Sequence, residues 1–339
     1  MNLTSPPGVE VNVILPSLGA IWRGTMIALG VAAAIPSSVG DMRSHPHPAR
    51  SFDDAVARAR QIIVRDDSVV ADGGATILLS HAHRTPRAVV LLHGFTDSPR
   101  QFAELADSLF AHGDNVLVPR LPHHAERRRD VGELARLTAA ELCQVADRSV
   151  DVAAGLGDSV IVLGLSVGGT MAAWTAEHRP EVRRAVVIAP PFEAGRWPSM
   201  LERPLVNLGN HVPNVSRRAT PDSARPDRDP GIATRGLAQI LRFGMAVRRD
   251  AEKYTPVNAE VLFLVNAHDR TVKEAPVMDL ARVWNGRGIP VSVYELPDSL
   301  SLPHNIVDPL AGRSDAAAVL PTLQALVHGG TPSPWIAHR

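Results

Sequence analysis

The chain has 339 residues, 45% hydrophobic and 21% charged, which is ample for a buried core. Lys plus Arg and Asp plus Glu each number 35, so the net charge is zero, and no basic surplus points to nucleic acid. A single cysteine, Cys143, excludes an intrachain disulfide; within "LARLTAAELCQVA" it reads as a small core hydrophobe.

In chain order, the first feature is "ILPSLGAIWRGTMIALGVAAAI", Ile14 to Ile35, apolar apart from Arg23 and a few hydroxyls. Arg23 followed by an apolar run and Ala32-Ala33-Ala34 has the order of a secretory signal with a small-residue cleavage site. Read whole, the span is just long enough for an anchor, with Arg23 expensive at its centre. The expectation is an exported or membrane-anchored protein, associated with membranes through this segment; the alternative is a cytoplasmic protein with an extra apolar arm. "SSVGDMRSHPHPAR", Ser37 to Arg50, then reads as a linker.

From Phe52 on, helical and strand-like runs alternate. "FDDAVARARQII" has helical spacing, with Asp53 and Asp54 at the positive end. "ATILLSHA" and "RAVVLLHGF" read as strands. "SPRQFAELADSLFAHG" predicts a helix capped by Ser98, with Pro99 at its first position and Gly113 closing it. "NVLVPRL" is a short buried strand, and "VGELARLTAAELCQVADRSVDVAAGLG" one long amphipathic helix. "SVIVLGLS", "VGGTMAAWTAEHRP" and "VRRAVVIAPP" give strand, helix, strand. "AEVLFLVNAHD", "APVMDLARVWNGRG", "VSVYELP" and "DAAAVLPTLQALVHG" give strand, helix, strand, helix. Apolar strands without polar alternation, separated by helices, imply a mostly parallel sheet buried on both faces. The predicted class is α/β. Residues 51–190 and 257–330 form its core, after an N-terminal segment and linker over 1–50. Residues 191–256, rich in Pro and Arg and without a clear strand, read as a small helical cap, because so long a structureless loop is improbable.

Ligand sites in open α/β sheets lie at the carboxyl ends of strands. Ser166, Asp269 and His304 follow three different strands, in the chain order of nucleophile-elbow hydrolases. Gly164-Leu165-Ser166-Val167-Gly168 is a full G-x-S-x-G match between a strand and a helix. Its glycines leave room for a sharp turn that lifts the serine above the sheet. The backbone N–H groups of Phe95, in "HGFT" after "AVVLL", and of Val167 are the expected oxyanion donors; His93 reads as structural. Rival assignments are Asp298 or, less favoured, Asp308 for the acid, with His268 as a loop residue beside Asp269. The pairs His81/His83 and His45/His47 read as surface or linker histidines with no third ligand nearby, so no metal is expected. His123-His124 reads as an exposed-turn pair that could line the pocket mouth.

These motifs, with "VVLLHGFTDSPRQFAELADSLFAHGDNVLVPRLPHH", "NAHDRTV" and "LPHN", resemble the α/β-hydrolase superfamily from Ala88 to Leu326, more weakly through the cap. Within it the chain is most similar to bacterial carboxylesterases and monoacylglycerol lipases, the serine aminopeptidase-like group. The resemblance implies an α/β-hydrolase fold, a Ser166 nucleophile, a His304 base, an Asp269 orienter, a small ester substrate and no cofactor. Two departures stand out: His123-His124-Ala125 replaces the usual Gly-His-Gly, and Leu302-Pro303 replaces small residues before the histidine. Phe243, Trp197 and Met200 are the expected cap residues facing an acyl chain, with core packing as the competing role. The competing functions are a proline-iminopeptidase-like peptidase, a thioesterase or lactonase, and a catalytically silent binding module.

Overall fold

The structure, a computed structural model, describes residues 30–31, 42–193, 199–211, 213–218, 227–256, 258–308 and 316–339. A sheet of eight strands has the order β1 (Ile77–Leu79), β3 (Asn115–Val118), β2 (Thr85–Leu92), β4 (Gly157–Leu165), β5 (Val182–Ile188), β8 (Glu260–Asn266), β9 (Val291–Leu296) and β10 (Ala337–His338). The pairs from β3 to β9 are parallel, and the edge strands β1 and β10 are antiparallel. The class is the mostly parallel α/β sheet that the alternating runs predict.

Strand periodicity divides the core into two layers. Val90, Leu92, Val160, Val162, Val187 and Phe263 face one cluster, built with α1 (Phe52–Val69), α3 (Ala139–Leu156) and α4 (Val167–His178). Val89, Leu91, Ile161, Leu163, Val186 and Leu264 face the other, with α2 (Ala103–Ala111) and α8 (Ala316–His328). The helix α7 (Ala275–Asn285) joins β8 to β9 and packs in the first cluster through Val277 and Leu280. Between β5 and β8 the chain makes α5 (Ser199–His211), a hairpin of β6 (Ser216–Arg218) and β7 (Gly231–Ala233), and α6 (Thr234–Asp250).

Local chemistry revises several expectations. Ser98 makes no cap: its hydroxyl donates to Asp227 Oδ2 at 2.8 Å, and the segment opens as a 3₁₀ turn, Pro99–Phe102, before α2. The long helix from Val131 is broken. A 3₁₀ turn covers Glu133–Arg136, and α3 starts anew at a capping box in which Thr138 and Glu141 satisfy each other's backbone N–H. Residues 44–49, read as linker, lie against the fold. The backbone N–H groups of His45 and His47 donate to the carboxylates of Asp147 and Asp151, and Ala49 N–H to Asp151 O. Of Ile14 to Ile35 only Gly30 and Val31 are described, both helical. No helix among the described residues is long and apolar enough to cross a membrane.

Candidate active site

β4 delivers Ser166 to the carboxyl edge of the sheet. Ser166 has φ +58° and ψ −120°, left-handed backbone that costs a non-glycine residue about 1–3 kcal/mol. Two bonds hold it there: its N–H donates to Ile188 O at the end of β5 (2.9 Å), and its C=O accepts Thr170 N–H (3.0 Å) as α4 begins. The flanking glycines are steric necessities. A Cβ at Gly164 would lie 2.0 Å from Gly168 O, and one at Gly168 would lie 1.9 Å from Leu92 O. Strand, turn and helix therefore approach as closely as bare backbone allows.

Asp269 follows β8, and His304 lies in the loop after β9. His304 Nδ1–H donates to Asp269 Oδ2 at 2.5 Å. Burial alone would raise the Asp269 carboxyl. The hydrogen bond and charge of His304, with backbone N–H groups of Thr271 and Val272, outweigh it and hold the pKa below the usual carboxylate range. Sequence reasoning overlooked Asn266, the polar residue ending the apolar run "VLFLVN". Its amide donates to Leu302 O (2.9 Å) and Pro303 O (3.1 Å), pinning the two residues ahead of His304. Asp298 lies elsewhere: its carboxylate accepts His268 Nδ1–H at 2.8 Å, and both side chains are exposed. Asp308 is buried, and its N–H donates to Asn305 Oδ1.

The Phe95 turn is set from its neighbours. Gly94 O accepts His93 Nδ1–H (3.0 Å) and Asp97 N–H (3.2 Å). Because a peptide is planar and trans, fixing that carbonyl fixes the Phe95 N–H in the opposite direction. His93 Nε2 accepts Leu121 N–H at 3.0 Å, so the ring works as a neutral bridge. Burial pushes its pKa down to about 4, which keeps it neutral. Gln101, Asp97 and Asn305 were not singled out in the sequence; Gln101 bonds Gly94 and Asp97 from within the same stretch of chain, whereas Asn305 reaches Asp97 from 208 residues away.

His123-His124 is not an exposed pair. His124 is fully buried, edge-on to His93 and Phe95, and burial holds its pKa well below normal. His123 is half-buried, its Nε2 3.2 Å from Glu141 Oε1, and it brings a ring nitrogen within 4.8 Å of carboxylate oxygens of Glu126 and Glu133. His123 (φ +64°) and Ala125 (φ +55°), the two positions at which the resemblance expects glycine, are both left-handed, a conformation glycine adopts most readily. His81 stacks on Phe110 and bonds its carbonyl; His83 Nδ1 bonds His81 O.

Phe243 on α6 is fully buried within the first core cluster, with Ile240 and Val247. Gly236, near the start of α6, packs on Leu134 O and the Phe95 ring, so this helix abuts the oxyanion turn. Met200 is in α5, its side chain outside the described residues, as is Trp197 entirely.

The profile of the Alpha/beta hydrolase family matches residues 89–300. A thermostable monoacylglycerol lipase of Bacillus sp. (strain H-257) is 30% identical over 204 residues, 57% of this chain and 74% of the relative. Among solved structures, a metagenome-derived lipolytic enzyme of the LipS and LipT study superposes with a TM-score of 0.56 at 18% identity, over 77% of this chain and 99% of the other. A soluble variant of the monoglyceride lipase of Saccharomyces cerevisiae gives 0.52 at 13% identity, over 76% and 92%. These last two show likeness of fold.

Proposed function

The chain belongs to the alpha/beta hydrolase family and is a hydrolase of the lipase and esterase type, and we propose that it cleaves carboxylic esters of short to medium acyl chains, monoacylglycerols among them, through an acyl-enzyme on Ser166. The observation that carries the reading is the 2.5 Å bond between His304 and Asp269, beyond the same sheet edge as the strained Ser166 turn. The 30% identity to the Bacillus monoacylglycerol lipase supports the substrate class.

In this reading Asp269 holds Nδ1 of His304 and leaves Nε2 to act as base. His304 removes the Ser166 proton as Oγ attacks the ester carbonyl, then gives it to the departing alcohol. Water attacks the acyl-enzyme by the same relay. Phe95 N–H and Val167 N–H, the latter at the positive end of α4, face the developing oxyanion. The insertion that carries α5 and α6 acts as a cap, and its packing sets acyl preference.

A serine-reactive phosphonate tests the chemistry directly. It should label the wild-type protein on one residue, Ser166, and fail to label Ser166→Ala. Labelling elsewhere, or none on folded protein, would refute the reading. A panel of esters of graded chain length then gives the acyl preference.

A further inference from the structure

Asp97 is a buried carboxylate, 2% exposed, two residues beyond the Phe95 turn. Burying a carboxylate is costly, and an apolar or amide side chain would fill the space for less. Its oxygen Oδ2 is the meeting point of three chain segments. Gln101 Nε2 donates to it at 3.1 Å, from the 3₁₀ turn after the Phe95 loop. Asn305 Nδ2 donates to it at 3.1 Å, from the residue that follows His304. Arg228 Nη2 lies 3.6 Å away and supplies the compensating charge from the middle of the insertion, just ahead of β7.

Each contact leads to a part of the site. The Gln101 amide is oriented at both ends, because its Oε1 accepts Gly94 N–H at 2.8 Å. The carboxylate therefore steadies the peptide next to the Phe95 donor. The insertion grips the same turn over three consecutive residues. Asp229 N–H donates to Thr96 O (3.0 Å), Arg228 pairs with Asp97, and Asp227 accepts from Ser98. Thr96 has φ +69°, a left-handed conformation that persists in a threonine only when its surroundings over-determine it.

From this geometry we infer that Asp97 is a positioning residue that locks the Phe95 donor turn to the His304 loop, so that oxyanion donor and base are held in one register. The inference rests on the acyl-enzyme reading above. Asp97 acts through Asn305 on one side and Gln101 on the other, and it touches no reacting atom. Losing it lets donor and base drift apart, an error felt in the transition state more than in ground-state binding.

The test is steady-state hydrolysis of p-nitrophenyl butyrate by full-length Asp97→Leu, Asn305→Ala and the double variant, with Ser166→Ala alongside. A leucine at 97 keeps much of the volume but offers no acceptor to Gln101, Asn305 or Arg228. Each single variant should lose at least tenfold in kcat with KM within threefold. The double variant should be no worse than the weaker single, since both cut one link. A kcat within twofold of wild type in folded Asp97→Leu overturns the inference, as do losses that multiply in the double. Should Asp97→Leu not fold, Asn305→Ala carries the same test: a kcat within twofold there overturns the link by itself. Turnover that survives in Ser166→Ala refutes the acyl-enzyme reading instead, so the two failures are distinguishable.

Discussion

Ser166 concentrates more constraint than any neighbouring residue, with left-handed backbone and glycine-enforced contact on either side. Ser166→Ala keeps the backbone and removes only Oγ. It should fold normally and lose about a millionfold in kcat; near-normal turnover, with contamination excluded by labelling, would remove the serine from the chemistry. The acid is tested by ranking two carboxylates. Asp269→Asn should cost about four orders of magnitude in kcat, because Asp269 alone of the pair bonds His304, whereas Asp298→Asn should change little. The opposite ranking would transfer the role. Asp229 makes a pH prediction. Desolvation by burial, with the Asp97 and Glu126 charges adding to it, lifts its pKa to about 7, against the opposing Ala125 N–H bond and the Arg120 charge. Its unfolded value is ordinary, so the folded state holds the extra proton. Stability from this residue is therefore full below the unfolded pKa and lost as pH rises towards 7, by up to roughly 4 kcal/mol. Asp229→Asn removes the loss. Urea midpoints should show it stabilised more at pH 8 than at pH 5; an equal gain at both would show that Asp229 does not titrate as described.

At the scale of elements, the elbow is three elements sharing one volume. Gly168→Ala inserts a Cβ 1.9 Å from Leu92 O, so β2 and α4 cannot keep their spacing. The substitution should abolish activity and lower the melting temperature sharply although all three candidate catalytic side chains are intact; an active, stable Gly168→Ala would contradict the packing. The helix α6 carries the second element-level prediction. The sequence places Phe243 where an acyl chain could lie, and the structure buries it completely among core residues. Phe243→Ala should then cost about 3–5 kcal/mol of stability, read as a fall in urea midpoint. A shifted chain-length preference at unchanged stability would assign Phe243 to the pocket wall instead.

Across the whole molecule, legibility follows the range of the interactions. Strand and helix runs and the G-x-S-x-G turn are local patterns, and the order Ser166, Asp269, His304 follows from which residues end those runs, so all are visible in the sequence. The two-residue strand β10, the β6–β7 hairpin and the break before α3 depend on pairing or capping that composition does not display. The link from Asp97 to Asn305 spans 208 residues and leaves no local mark. The same holds for the anchor of residues 44–49, whose Pro and His content suggested a free linker. Arg179, 1% exposed, is its keystone. Its guanidinium donates to Asp147 Oδ1 (2.9 Å), Asp151 Oδ1 (2.6 Å) and Glu181 Oε1 (3.0 Å). Those first two carboxylates in turn accept Ser44 Oγ–H and the N–H groups of His45 and His47. Hydrogen bonds to the buried carboxylates are thus what fasten this segment across α3. Arg179→Met should strand Asp147 and Asp151 without their cation, at a cost of about 3–5 kcal/mol. The strap should loosen with them, so limited proteolysis should cut near residues 43–50 in Arg179→Met at a protease level that spares the wild type. The protein that remains folded should keep its esterase turnover, because the cluster lies at the far end of α4 from Ser166. Destabilisation without new cleavage near the strap would mean that residues 44–49 are held by contacts other than this ion cluster.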